Sequence, residues 1–359
     1  MEAKVIIGID FSKDTFDVSV LFSINEVKNA PHMAFGNDSQ GYKQMLDWVK
    51  SLTKVKRSEW LFCGENTGVY SYDLSVMLAK KGLFMWLEDP MQINRCSGVR
   101  LDKTDEKDSL SIAEYAFRFI DRAKRFMPKS KTMEDIELYM NQRQSLVSIV
   151  VELQNENTSL SSSSRTSAAK TKIINNNKSA IAKFRKQIAH YEKEIERLIK
   201  SESSLSENYK RVKSVKGVGI CIATAVLTYT DNFRKCNNPR QFAVYAGVVP
   251  HKHESGTSIK WGEHTRKRCN RKLRVLLTQG AQSAAMYDPE MKAYMQRMLA
   301  RGKEYNLVIN NIRYKLIKRI FAVIKNGRDY IVGADNYGMA KMMAKETMNQ
   351  KNKNNNYIA

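Results

Sequence analysis

The sequence predicts a mixed α/β domain, then a long helical arm, then a mainly helical, strongly basic domain. Three observations predict this. Residues 1–128 alternate short apolar runs with amphipathic stretches, the pattern of strands and helices around one sheet. From about Glu134, apolar residues recur at alternating steps of three and four, which is coiled-coil spacing. Over 209–335 helical periodicity returns and carries a dense run of cations. Residues 129–208 are therefore read as the arm, and 336–359 as a polar C-terminal tail.

In the first domain, Val5 to Asp10 and Thr15 to Phe22 read as strands joined by the turn Phe11-Ser12-Lys13-Asp14, and a third strand begins at Ala34-Phe35. Ser39 to Leu52 has helical spacing, with Tyr42, Met45, Leu46 and Val49 on one side. Trp60 to Cys63 is a short buried strand, Tyr72 to Lys81 a helix closed by Gly82, and Leu83 to Leu87 another strand. A loop leads to a helix from Asp105 to Arg122.

The arm has one seam through Ile136, Tyr139, Arg143, Leu146, Val150, Leu153, Asn157 and Leu160. After the serine-rich break Ser159 to Ser167 a second seam runs through Ile174, Asn177, Ile181, Phe184, Ile188, Tyr191, Ile195 and Leu198. Asn157 and Asn177 at seam positions set register at some cost in stability. The break is long enough for a hairpin, and pairing with another subunit is the other arrangement. The third block opens with Val215-Lys216-Gly217-Val218-Gly219, continues as an apolar helix from Ile220 to Thr228, and ends in helices over Pro289–Ala300 and Tyr305–Asn326.

A 359-residue chain with 42% hydrophobic residues can bury two or three cores. Its 60 Lys and Arg against 37 acids give a net charge of +23, so nucleic acid is the expected partner. No basic helix has the broad apolar face of a membrane-surface binder, and no stretch approaches about 18 uninterrupted apolar residues, so no membrane partner is expected. No signal peptide is read at the start. Cys63, Cys96, Cys221, Cys236 and Cys269 are scattered without a C-x-x-C pair, which fits a reducing cytoplasm and argues against structural zinc.

Within this basic chain, four carboxylates stand out: Asp10 ending the first apolar run, Glu65 just past another, and Asp105 with Asp108 three apart at a helix start. Two carboxylates about 5 Å apart repel by roughly 3 kcal/mol at an effective dielectric of 20, so four together read as a cage for a divalent cation. Two-metal sites of this kind carry out phosphodiester displacement. Asp14 and Asp17 are left out of the set. In the third block, Ser255 sits in Glu254-Ser255-Gly256-Thr257-Ser258, a glycine-flexed turn from which a hydroxyl can reach a phosphate. Cations surround it: Lys252, Lys260, Arg266, Lys267, Arg268, Arg271, Lys272 and Arg274 are expected to contact nucleic-acid backbone. Read from composition alone, the Ser255 turn is better explained as a solvated turn with a phosphate-binding basic loop. Lys216, Gly217 and Gly219 form a turn in which backbone N–H groups can meet a phosphate, or a plain turn between helices.

The stretch Ile7-Gly8-Ile9-Asp10-Phe11-Ser12-Lys13-Asp14-Thr15-Phe16-Asp17-Val18 resembles the opening of the DEDD transposases of bacterial insertion sequences. Glu65-Asn66-Thr67-Gly68, and Asp105 with Asp108 after Lys103-Thr104, match the rest of the family's tetrad. Residues 209–285 are similar to the family's C-terminal domain: a Gly-x-Gly hairpin, Tyr245-Ala246-Gly247-Val248-Val249-Pro250, and then Ser255-Gly256. The sequence departs from the pattern at His251-Lys252-His253-Glu254 and Trp261-Gly262-Glu263.

The resemblance implies an RNase H-like, RuvC-like first domain whose tetrad binds Mg²⁺, with Mn²⁺ as a substitute. It implies Ser255 as covalent nucleophile on DNA, Ser258 being the fallback. It further implies that Ser255 of one subunit works with the acids of another in a dimer or tetramer, that a structured guide RNA made by the element pairs with donor and target DNA, and that the protein acts at the bacterial nucleoid. Two other readings compete: a metal-dependent Holliday-junction-type resolvase using activated water, and a non-enzymatic nucleic-acid-binding protein.

Overall fold

The computed structural model describes residues 3–96, 104–164, 166–255, 259–265 and 268–332, with backbone alone over 251–255 and 259–264. The chain divides into two compact units, Met1–Lys129 and Ser130–Ala359.

The first unit is built on a five-stranded mixed sheet in the order β3-β2-β1-β4-β5. Its strands are β1 (Val5–Phe11), β2 (Thr15–Leu21), β3 (His32–Gly36), β4 (Trp60–Glu65) and β5 (Phe84–Glu88). β1, β2 and β3 form an antiparallel meander, while β4 runs parallel to β1 and β5 parallel to β4. Strand alternation divides the side chains between two faces. Val5, Ile7, Ile9 and Phe11 join Phe62 and Met85 under helices α1 (Ser39–Leu52) and α2 (Val69–Lys80). Ile6, Leu61, Cys63 and Trp86 face the other way, toward α3 (Pro90–Cys96) and α4 (Asp105–Arg118).

α1 starts where Asp38 accepts the backbone N–H groups of Gln40 and Gly41, and it buries Tyr42, Met45, Leu46 and Val49 as its spacing predicts. α2 begins at Val69, earlier than expected, and closes at Gly82, whose φ of +73° lets Leu83 N–H reach back to Leu78 O at 3.0 Å. The helix expected to reach Arg122 ends at Arg118, and a 3₁₀ turn over Ile120–Arg122 follows. That turn swings Phe119 and Ile120 against the core beneath α4, which a continued helix would not do.

In the second unit, α5 (Lys131–Ser162) and α6 (Ala168–Ser201) form an antiparallel hairpin. Arg143 pairs with Glu192 at 2.7 Å, Tyr139 packs on Tyr191, and Asn177 Nδ2 donates to Asn157 Oδ1 at 3.1 Å. All sixteen seam positions read from the spacing are buried or half-buried. The break is shorter than its serines indicate. Thr158 and Ser162 hydroxyls bond back to Gln154 O and Ser159 O, so the helix continues through them instead of ending.

The hairpin's base shares one core with the helices that follow, through Met133, Ile136, Ile195 and Ile199. These helices are α7 (Ser203–Ser214), α8 (Ile220–Thr230), α9 (Pro239–Tyr245), α10 (Arg271–Tyr287), α11 (Pro289–Ala300) and α12 (Tyr305–Asn326). A block expected to be helical also contains an antiparallel strand pair, β6 (Pro250–Ser255) and β7 (Ile259–Thr265). A two-stranded ribbon need not present a continuous apolar face, so the alternation that marks sheet strands is absent from its sequence. None of the described helices is long and apolar enough to cross a membrane.

Candidate active site

Gly8 determines how α4 meets the sheet. A Cβ on Gly8 would come within 2.2 Å of Ser109 O and 2.4 Å of Ala113 N, so the helix backbone lies directly on β1. Ser19, paired with Gly8 across β1–β2, fixes the contact through a buried Ser19 Oγ–Ser109 Oγ hydrogen bond of 2.7 Å. Asp10 lies two residues beyond Gly8 on the same face. The first turn of α4, carrying Asp105 and Asp108, is capped by Thr104, whose Oγ1 accepts Lys107 N–H. Acids there also suit the positive end of the helix dipole.

Asp10 is one of a row. It pairs with Asp17 of β2, the Ile9–Gly64 pairing puts Glu65 of β4 beside it, and Glu65 pairs with Glu88 of β5. Side-chain alternation turns all four toward α4. At the row's ends, Asp17 Oδ1 lies 2.9 Å from His32 Nε2, and Glu88 accepts Tyr115 OH at 3.3 Å and Asp89 N–H at 2.8 Å. Burial, and then the negative charges of Asp108, Glu65, Asp105 and Asp17, push the Asp10 carboxyl up from 3.8 to about 6. The other three tetrad acids thus act electrostatically on Asp10. Burial and Glu88 likewise raise the Tyr115 phenol above its ordinary value.

Asp17 and Glu88 escaped the sequence reading. In the sequence the alternation of the second strand places Asp17 inconsistently; the hairpin register sets it directly opposite Asp10. Glu88 carries the same signal as Glu65, an acid directly after an apolar strand, but in no recognised motif.

The donor set suits a hard divalent cation, since it is all carboxylate and the burial and like charges that disfavour ionised Asp10 are what a bound cation would offset. Among the described residues no three acid, histidine or cysteine side chains already form a metal cage.

In the second unit Ser255 is the last residue of β6, paired with Ile259 of β7, so it ends a strand instead of sitting mid-turn. Ser258, Arg266 and Lys267 lie outside the described residues, as does the tail 336–359. Lys252 and Lys260 stand on the two strands, Lys260 opposite Glu254. Arg268, Arg271 and Lys272 are exposed around the N-terminus of α10, which Asn270 caps by accepting Leu273 N–H. Cations at that end oppose the helix dipole, so helix stability does not explain them. Lys216 is exposed. Gly217 has φ +90°, and a Cβ there would meet Gly280 O of α10 at 2.5 Å, so packing accounts for this glycine. Gly219 has open space around it and caps α8.

An acid row on a mixed sheet, joined to a basic helical unit, defines an enzyme class that handles polynucleotide backbones. The profile of a DEDD transposase family of IS110 type matches residues 7–160, and that of the transposase IS116/IS110/IS902 family matches residues 209–296. The chain belongs to the IS110 family of transposases and is a transposase-type recombinase. It is similar over 333 residues, at 23% identity, to the pilin gene-inverting protein of Moraxella bovis, covering 91% of this chain and 98% of that one. Over 151 residues it is 27% identical to the transposase for insertion sequence element IS1111A of Coxiella burnetii, covering 41% of this chain and 40% of the relative. A 43.6 kDa protein of insertion element IS110 from Streptomyces coelicolor is 31% identical over 117 residues, 33% of this chain and 29% of the relative.

Proposed function

We propose that this transposase cuts and rejoins DNA through a phosphoserine link at Ser255, assisted by Mg²⁺ held by Asp10, Glu65, Asp105 and Asp108 in an RNase H-like domain. The observation that carries the reading is the acid row facing the first turn of α4, inside the segment matched by the DEDD transposase profile. The strand order, with an antiparallel meander extended by two parallel strands, supports the RNase H-like assignment. Ser255 falls within the second matched segment, at the end of a strand flanked by cations.

In the reaction, the Ser255 hydroxyl oxygen bonds to the scissile phosphorus. The bridging oxygen of the departing strand leaves with the serine's proton, and a second strand's hydroxyl later reverses the exchange. One phosphoester replaces another, so the bond energy is conserved for rejoining. A divalent cation at the acid row would stabilise charge building on the phosphate oxygens. The cations at 216, 252, 260, 266–268, 271, 272 and 274 hold backbone phosphates, which positions DNA without reading its sequence. Target choice then falls to a structured RNA of the element, and the working form is a homo-oligomer at the nucleoid. A relative named for inverting a pilin gene supports DNA recombination.

The test is covalent trapping. Protein, element-derived RNA and labelled donor-end DNA are incubated with Mg²⁺ and run on a denaturing gel. DNA attached to wild-type protein, and lost in Ser255→Ala and Asp10→Ala, is the expected result. Cleaved DNA without an adduct, persisting in Ser255→Ala, would make the enzyme a hydrolytic nuclease.

A further inference from the structure

Arg313 of α12 is half-buried, its Nε atom is buried without a hydrogen-bond partner, and its Nη1 reaches only the side-chain oxygen of Asn310, at 3.1 Å. Burial, and then the positive charge of Arg274 on α10, disfavour the charge on Arg313. Neither guanidinium is ion-paired with a carboxylate among the described residues. The pair brackets one backbone turn. Arg274 Nη1 lies 3.6 Å from where a Cβ on Gly247 would stand, and Asn310, which receives Arg313, donates its amide to Val248 O at 2.9 Å. Gly247 has φ +67°, and its Cβ would also strike Cys269, so the turn passes close under the arginines. A few residues further along the chain β6 ends at Ser255.

Two guanidiniums set around one turn, one of them part-buried with an unsatisfied donor, are costly in the free protein. Residues held this way match a bound anion, and the planar fork of arginine fits two oxygens of one phosphate. We propose that Arg313 and Arg274, with Asn310 holding Arg313 in place, form a clamp for one backbone phosphate of the DNA strand that enters beside β6. The proposal rests on the reading of this unit as the DNA-handling half of a transposase, and adds Arg313 and Asn310 to its binding residues. The clamp positions the strand and takes no part in bond-making.

The test uses the full chain and compares wild type with Arg313→Met, Arg313→Lys and Arg274→Met. At matched ionic strength, inorganic phosphate should raise the melting temperature of wild type and do so much less for either methionine variant. Without phosphate, Arg313→Met should melt no lower than wild type, because a repelled charge has been removed. Binding to a donor-end duplex, followed against salt, should lose roughly one unit of slope in log K against log salt in Arg313→Met, the loss of one phosphate contact. Arg313→Lys keeps the charge and should retain most of the slope while weakening affinity. An unchanged slope and unchanged phosphate response in Arg313→Met would overturn the clamp, as would a fall in its melting temperature with the phosphate response intact. A slope change with single-stranded RNA of equal length but not with duplex DNA would overturn the assignment to DNA. None of these readouts requires strand cleavage, so a missing covalent adduct would count against the phosphoserine reaction and leave the clamp standing.

Discussion

Asp10 carries the clearest chemical consequence of a single side chain. Its carboxyl titrates near about 6 in the folded protein against 3.8 ordinarily, so the folded state holds the proton more tightly than the unfolded one. Stability from this group is therefore greatest at low pH and is lost as pH rises from about 4 through about 6. Asp10→Asn removes the loss. In EDTA at pH 7.5 the variant should melt a few degrees above wild type, about 1–2 kcal/mol after allowance for solvent screening, and the gap should narrow as pH falls toward 4. Mg²⁺ should stabilise wild type more than the variant. A melting temperature below wild type at pH 7.5 in EDTA would mean that the acids around Asp10 do not crowd it. The same scale explains Gly8: no larger residue allows α4 to bring Asp105 and Asp108 over the end of β1.

Among the elements, the α5–α6 hairpin is stabilised mainly by its seam, with one of its polar layers where Asn177 meets Asn157. Changing Asn177→Leu alone strands the Asn157 amide and should cost about 1 kcal/mol in denaturant unfolding. Changing both to Leu removes the polar layer and should make the unit at least as stable as wild type, while loosening the register that one polar pair enforces. Double and single variants of equal, lower stability would show that the asparagine bond is not an isolated pair. The heptad spacing made the seam legible in the sequence. The partner did not follow from it, since an apolar stripe packs equally well on a neighbouring helix or on another copy; the short turn after Ser162 closes the hairpin within one chain.

Across the whole molecule, the acid row and Ser255 belong to different compact units. If the proposed site is shared between subunits, Asp10→Asn and Ser255→Ala proteins, each inactive alone, should recover part of wild-type recombination when mixed. Gel-based recombination of a donor substrate by the mixture measures this, and activity no higher than the separate variants would place both groups in one chain's site.

The sequence by itself determined the strand–helix order of the first unit (except for α3, which reads as loop), the two seams of the arm, the charge that selects a polyanion, and the positions of Asp10, Glu65, Asp105 and Asp108 at element ends. Those follow from local periodicity and residue chemistry, which are written along the chain. Tertiary structure alone decided that Asp17 and Glu88 align with Asp10 and Glu65, because the register between two paired strands leaves no periodic mark within either one. It also decided that a strand pair interrupts the last helices, and that Arg313 and Arg274 come to one turn with no acid paired to either among the described residues. Juxtapositions of this kind depend on how helices dock, and the chain records them only once it is folded.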